Sequence, residues 1–229
     1  MSEQPPSVTS RIPGFYKERI AERLQIMVET GLLRSESRTH LEMGGKLELD
    51  VADRMSENVI AIHGLPLSIA LNFRVNHRDV LVPMAVEEPS VVAAASNAAR
   101  LVRMTGGFIG ETTAPVMTTQ VQFDDVDNPH EARRLVEEQR EEIFEVADAA
   151  IPGMVNRGGG CRDMDVRVLD EETGVMVVHL YVDVGSAMGA NVVDSVAEAV
   201  APKIQDLIGG SIGLRILSNL PLRRRVRIQ

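Results

Sequence analysis

The clearest hydrophobic patterning lies between residues 115 and 218. Met117, Thr119, Val121 and Phe123 alternate with Thr118, Gln120 and Gln122, the period-two signature of a half-buried strand. Asn128, Pro129 and Glu131 supply an N-cap, a proline at the first helical position and an acid two residues later, and predict a charged helix running through Ala150. Met164, Val166 and Val168 alternate with charged residues, and residues 175–184 form a second apolar run beyond the turn at 171–174. The two pair as a hairpin. Val192, Val193, Val196, Ala197, Val200, Ile204 and Leu207 trace one stripe of a helix that Gly209 and Gly210 end, and residues 212–217 supply a last strand. The order βαββαβ is the ferredoxin-like plan, with a four-stranded antiparallel sheet and two helices on one face.

The pattern is weaker before residue 115. Residues 1–14 are polar and proline-containing and read as a flexible tail. Phe15, Ile20, Leu24, Met27 and Val28 predict an amphipathic helix that begins at Phe15 and stops at Gly31. Residues 34–56 carry no assignable pattern beyond the Gly44-Gly45 turn. Residues 57–84 read as short strands broken by Gly64, Pro66 and the turn at 76–79. Residues 80–84 are continuously apolar, as in a buried strand. Residues 91–102 form a small-residue helix suited to close packing, which Gly106 and Gly107 stop. The chain therefore divides into a tail (1–14), a first domain (15–112), a small domain (113–218) and a closing segment (219–229) that returns to the first.

Composition narrows the function. The chain has 229 residues, 44% of them hydrophobic, which suffices for one or two cores. A net charge of -9 argues against phosphate-backbone binding, so no nucleic-acid partner is expected. Cys161 is the sole cysteine, excluding an internal disulfide, and the five histidines lack metal-site spacing, so no metal is expected. The first ten residues lack the basic and apolar regions of a signal peptide, and no apolar run approaches the ~18 residues of a membrane span. A cytoplasmic protein with no membrane partner is the expectation.

Several residues invite chemistry. Glu87 and Glu88 lie between a strand and a helix start. They either favour the positive helix end or offer a partly buried carboxyl of raised pKa for acid catalysis. The run Ser186, Ala187, Met188, Gly189, Ala190, Asn191 opens the second helix of the small domain. It is either a tight turn with Ser186 as N-cap or a backbone cradle for a diphosphate. Gly158, Gly159 and Gly160 form a loop flanked by Arg157 and Arg162, either of which could meet a phosphate or serve as a structural charge. Cys161 reads as a small apolar residue, and Arg223, Arg224, Arg225 and Arg227 as a solvated end.

Taken together, these segments resemble class II hydroxymethylglutaryl-CoA reductase, over its amino-terminal half. The resemblance runs from about Val51 to Asn219. It rests on Glu57-Asn58-Val59-Ile60, Arg78-Asp79-Val80-Leu81-Val82-Pro83, Glu87-Glu88-Pro89-Ser90, Gly158-Gly159-Gly160-Cys161-Arg162-Asp163, the run 187–191 and Arg215-Ile216-Leu217-Ser218-Asn219. It implies an α+β chain in which a ferredoxin-like βαββαβ cofactor domain is inserted in a mixed α/β substrate-binding domain, the latter incomplete. It also implies an oxidoreductase that interconverts hydroxymethylglutaryl-CoA and mevalonate in two hydride transfers with NADPH or NADH, releasing coenzyme A. By this resemblance Glu88 is catalytic, Ser90 and Asn58 bind substrate, and Ser186, Ala187, Met188, Gly189, Ala190, Asn191 and Asn219 bind cofactor. Ser186 stands where the family usually has Asp. The family's lysine, aspartate and histidine fall beyond Gln229, so the chain alone is expected to be inactive. It would act as a homodimer-based oligomer or with a chain carrying the other half. The alternative is a truncated, non-catalytic paralogue that serves as a nucleotide-binding or dimerisation module.

Overall fold

The computed structural model describes residues 9–229. The chain forms two compact units, Met1–Gly110 with Ile228–Gln229, and Glu111–Arg227.

In the second unit, β6 (Val116–Asp124) runs into α5 (Pro129–Glu138) and α6 (Arg140–Ala149). A short α7 (Pro152–Val155) leads to β7 (Gly160–Asp170) and β8 (Val175–Asp183), and the unit continues with α8 (Ala190–Ile208) and β9 (Ser211–Leu217). The sheet order is β7-β8-β6-β9 and the pairings are antiparallel, which is the ferredoxin-like arrangement. The alternation read from the sequence sets which face is dry. Val121, Phe123, Val166, Met176, Val178, Leu180 and Val182 are buried against Val136 and Ile143 from α5 and α6 and against Val193, Val196, Val200 and Ile204 from α8.

Three local expectations change. The helix opened by Asn128, whose side chain accepts from the Glu131 N–H at 3.2 Å, does not run unbroken to Ala150 but resets at Gln139. Ser186 is not an N-cap. Gly189, at φ 98°, holds that position, and a Cβ there would sit 2.5 Å from the Met117 sulfur. The closing arginines are not all solvated: Arg223 lies 3.5 Å over the Tyr181 ring and pairs with Asp163 at 2.6 Å. Cys161 packs in the core as expected, and burial pushes its thiol up to about 12.

In the first unit, a 3₁₀ turn at Phe15–Lys17 precedes α1 (Ile20–Glu29), α2 (Ser35–Glu42) and α3 (Leu49–Asp53). Then come β1 (Leu67–Ala70), β2 (Arg74–Val75), β3 (Arg78–Asp79), β4 (Val82–Ala85) and α4 (Val91–Arg103). The expected helix from Phe15 thus starts later, because Glu18 and Arg19 are extended and Ile20 faces solvent. Asn76 and His77 both take positive φ, making the tight β2–β3 turn. Residues 80–84 are not a buried strand. Strand β4 pairs only with β1, and its residues alternate between half-buried and exposed. Helix α4 buries only Ala99, so its small residues do not serve close packing within this chain. Strands β5 (Gly110–Thr112) and β10 (Val226–Ile228) pair where the chain passes between the units. Among the described residues, no helix is long and apolar enough to cross a membrane.

Candidate active site

After β4 the chain bends through Glu87 and Glu88, turns at Pro89 and enters α4 from Ser90. Ser90 adopts φ 71°, a left-handed conformation that costs a non-glycine residue on the order of 1–3 kcal/mol. It occupies the N-cap position, yet its hydroxyl makes no capping bond, and only its carbonyl is used, accepting from the Ala94 N–H at 2.8 Å. A cavity of about 790 Å³ opens at this bend. Glu87, Glu88 and Ser90 line it, together with Ser96, Asn97 and Arg100 along α4 and residues 11–16 before α1. The cavity holds charges of both signs. Glu88 is exposed and makes no hydrogen bond or ion pair among the described residues, so of the two sequence readings the partly buried carboxyl is not formed within this chain. Asn58 does not line this cavity; it is exposed, at φ 56°, between α3 and β1.

Residues 11–14 of this lining wall belong to the segment expected to be a flexible tail. Its residues 1–8 lie outside the described residues. Ser10, however, is fully buried, donates from Oγ to the Phe73 carbonyl at 2.6 Å, and receives the Asn72 N–H on its own carbonyl at 2.9 Å. The Asp79 carboxylate accepts from the Ser10 N–H at 2.8 Å and the Thr9 hydroxyl at 3.0 Å. Arg103 binds the same carboxylate in a fork, at 2.9 and 2.8 Å, and this guanidinium holds the Asp79 carboxyl down at about 2.

A second cavity, of about 410 Å³, lies in the other unit below the entrance of α8. Val184, Gly185, Ser186 and Ala187 line it together with Met154, Arg157 and Gly159. The first helical bond of α8 is Val193 N–H to the Gly189 carbonyl, at 3.1 Å, so the amides just before Val193 have no acceptor in the helix, an arrangement that favours negative charge there. Met188 and Asn191 are exposed, Ala190 is half-buried, and Asn219 is exposed after β9. None of these four lines the cavity. Arg224 donates to the carbonyls of Met188 at 2.9 Å and Ala187 at 3.2 Å, fixing this turn and bringing a cation beside it. Of the two arginines flanking the glycine loop, Arg162 donates to the Gly158 carbonyl and pairs with Asp183, a structural use. Arg157 lines the cavity. Gly159 and Gly160 of the glycine loop are tightly packed, since a Cβ on them would sit 2.5 Å from the Asp183 carbonyl and 2.8 Å from the Asp148 carboxylate, respectively, while Gly158 borders open space.

Both arrangements sit on one recognisable chain. The family model of hydroxymethylglutaryl-coenzyme A reductase matches residues 19–229. The chain belongs to this family. It is 50% identical over 223 residues to the 3-hydroxy-3-methylglutaryl-coenzyme A reductase of Archaeoglobus fulgidus, covering 96% of this chain and 51% of that protein. It is 29% identical over 170 residues to a probable reductase of the same name from Borreliella burgdorferi, covering 74% of this chain and 38% of that one. Its fold matches the class II reductase of Streptococcus pneumoniae bound to NADPH, with a TM-score of 0.90, 36% identity, and coverage of 94% of this chain and 58% of that one. The chain therefore spans about half the length of the curated relative it matches over most of its own length.

Sequence reasoning singled out Glu88 and the 186–191 turn from local motifs, and Ser90 through the family resemblance. It missed the wall at 11–16 and the role of Arg224. Those depend on contacts across ~70 and ~37 residues of sequence, for which no periodic pattern exists.

Proposed function

We propose that this chain carries the acid and the cofactor turn of an NAD(P)H-dependent reductase that interconverts hydroxymethylglutaryl-CoA and mevalonate, with release of coenzyme A. The observation that carries this is the convergence of Glu88 and Ser90 on one cavity at the head of α4, in a chain of this family. In this reading the cavity takes the acyl thioester. The Ser90 hydroxyl, unused as a cap, is free to bind a ligand oxygen, and Glu88 holds or donates the proton at the reacting oxygen. Asn58 is assigned to the substrate through the resemblance, and reaches it only if the 57–60 segment is rearranged or acts on another copy.

The 186–191 turn and Asn219 form the cofactor side. NADPH is present in the matched pneumococcal structure, and the residues here fit a dinucleotide diphosphate. The free amides at the start of α8, the glycine at 189 that admits no Cβ, and the Arg224 cation all suit an anion. When bound, the nicotinamide supplies hydride; the chain's own part is to seat it. We further propose a homodimer, or assembly with the remaining half of the family's length, supported by the exposed apolar side chains around 60–67.

Binding is the direct test. Titration with NADPH and NADH, followed by nicotinamide fluorescence, and with hydroxymethylglutaryl-CoA, followed by calorimetry, should show both classes of ligand bound. In a polypeptide or complex that also supplies the family's carboxy-terminal half, mevalonate should form. Glu88→Gln, which keeps the size and removes the titratable proton, should cost ~10²–10⁴-fold in rate. Failure of every ligand to bind would overturn the reading and favour a non-catalytic module.

A further inference from the structure

Residues 11–16 have little secondary structure to hold them, yet they line the same cavity as Glu88 and Ser90. The segment is fastened at its two ends. At the far end, Arg23 of α1 donates to the carbonyls of Phe15 at 3.1 Å and Tyr16 at 3.0 Å, and Phe15 is buried. At the near end, Thr9 and Ser10 are held by Asp79, which follows the β2–β3 turn. Asp79 is in turn held by Arg103 in the last turn of α4, whose Nη1 also reaches Ser10 Oγ at 3.3 Å. The strap and α4 thus converge on one carboxylate carried by β3, whose side chain is only 11% exposed. Between the fastenings, Arg11, Ile12, Pro13 and Gly14 reach the cavity and are bonded only within the segment itself. Arg11 N–H bonds Thr9 Oγ1 at 3.2 Å, and Phe15 and Lys17 N–H groups close short turns.

We propose that Asp79 and Arg103 are positioning residues for the substrate cavity, setting its affinity by clamping the 9–16 strap against the head of α4 without touching the ligand. The same helix carries Ser90 at its start and Arg103 at its end, so one rigid element registers the strap to the candidate acid. Releasing the clamp leaves the strap's backbone to be ordered by the ligand, at a cost that weakens binding. Ordering even one or two residues corresponds to roughly tenfold or more in affinity. This inference rests on the reading of that cavity as the thioester site, and its test separates the two.

Asp79→Asn keeps the shape and removes the charge. It should weaken hydroxymethylglutaryl-CoA binding about tenfold by calorimetry, leave NADPH binding to the other unit within twofold, and speed tryptic cleavage after Arg11. Arg103→Lys, which keeps the charge and loses the fork, should recover part of the affinity. Should Asp79→Asn fail to fold, Ser10→Ala, which removes the hydroxyl's bonds to Phe73 and Arg103 and leaves the Asp79 carboxylate in place, carries the test and should show the same split. Equal loss of both ligands, or unchanged substrate affinity in Asp79→Asn and Ser10→Ala, overturns the proposal. If the unsubstituted chain binds NADPH but not the thioester, the reading of the cavity has failed. The rate of cleavage after Arg11 then decides whether the clamp exists, unchanged cleavage in both variants meaning that it does not.

Discussion

Two side chains carry unusual local energetics. Ser90 pays for a left-handed backbone and leaves its hydroxyl uncapped, and such strain concentrates at functional positions. Ser90→Gly relieves the strain and should raise stability by about 1 kcal/mol in thermal unfolding while lowering thioester affinity; Ser90→Ala should lower the affinity without the gain in stability. A serine with no part in binding would give the gain in stability without the loss of affinity. Asp79 is the other case. Its folded-state pKa near 2 lies below the ~3.9 of an unfolded aspartate, so its ionised form favours the native state. That stabilisation is fully present above about pH 4 and is lost as pH falls through about 2. It amounts to about 2 kcal/mol. Urea unfolding at pH 6 and pH 3 should therefore show a larger acid loss for the natural chain than for Asp79→Asn, whose amide does not titrate.

At the scale of elements, legibility followed periodicity. The alternation at Val121 and Phe123 and the stripe at Val193, Val196, Val200 and Ile204 were readable because each element packs one face on a core inside the chain. The same logic failed where that core is thin. Ile20 fits a helical stripe but faces solvent, and the apolar run at 80–84 forms a two-stranded ribbon rather than a buried strand. The break at Gln139 leaves no mark in the pattern because both flanking segments favour helix and only the turn between them differs. In the candidate site, motifs betrayed the turns at 87–90 and 186–191. The partners of those turns, the strap and Arg224, were set by tertiary contacts. The α8 entrance offers a test at this scale. Gly189→Ala places a methyl against Met117 and Val184 at positive φ, and should cost at least ~1 kcal/mol of second-unit stability while weakening NADPH and NADH alike. Lost stability with unchanged affinity for both would argue that the turn is only a helix start.

For the whole molecule, the contrast between the two units decides what to expect. Among the described residues, the buried apolar side chains of the first unit are Phe15, Leu24, Met27, Ala52, Ala70 and Ala99, three of them alanines; every other buried apolar side chain, and the whole continuous core, belongs to the second. Burial supplies roughly 25 cal/mol per Å² of apolar surface, so the second unit holds most of the folding free energy. Meanwhile Ile60 is 95% exposed, and Leu67, Met55 and Tyr16 are exposed beyond 60%. So much uncovered apolar surface on one thinly packed unit calls for a covering surface. Amide exchange should find β6, β8 and α8 strongly protected and residues 54–66 nearly unprotected at low concentration, with protection there rising as the chain is concentrated. Light scattering at micromolar concentration should give a mass above the 25.0 kDa of one chain. Ile60→Lys puts a charge where association would have to bury it, at a cost of several kcal/mol. It should return the mass to that of a monomer and leave the melting of the second unit unchanged. A monomeric natural chain whose 54–66 amides stay unprotected at every concentration would show that this surface is not covered by a second copy. The other half of the family's length would then be the partner to supply.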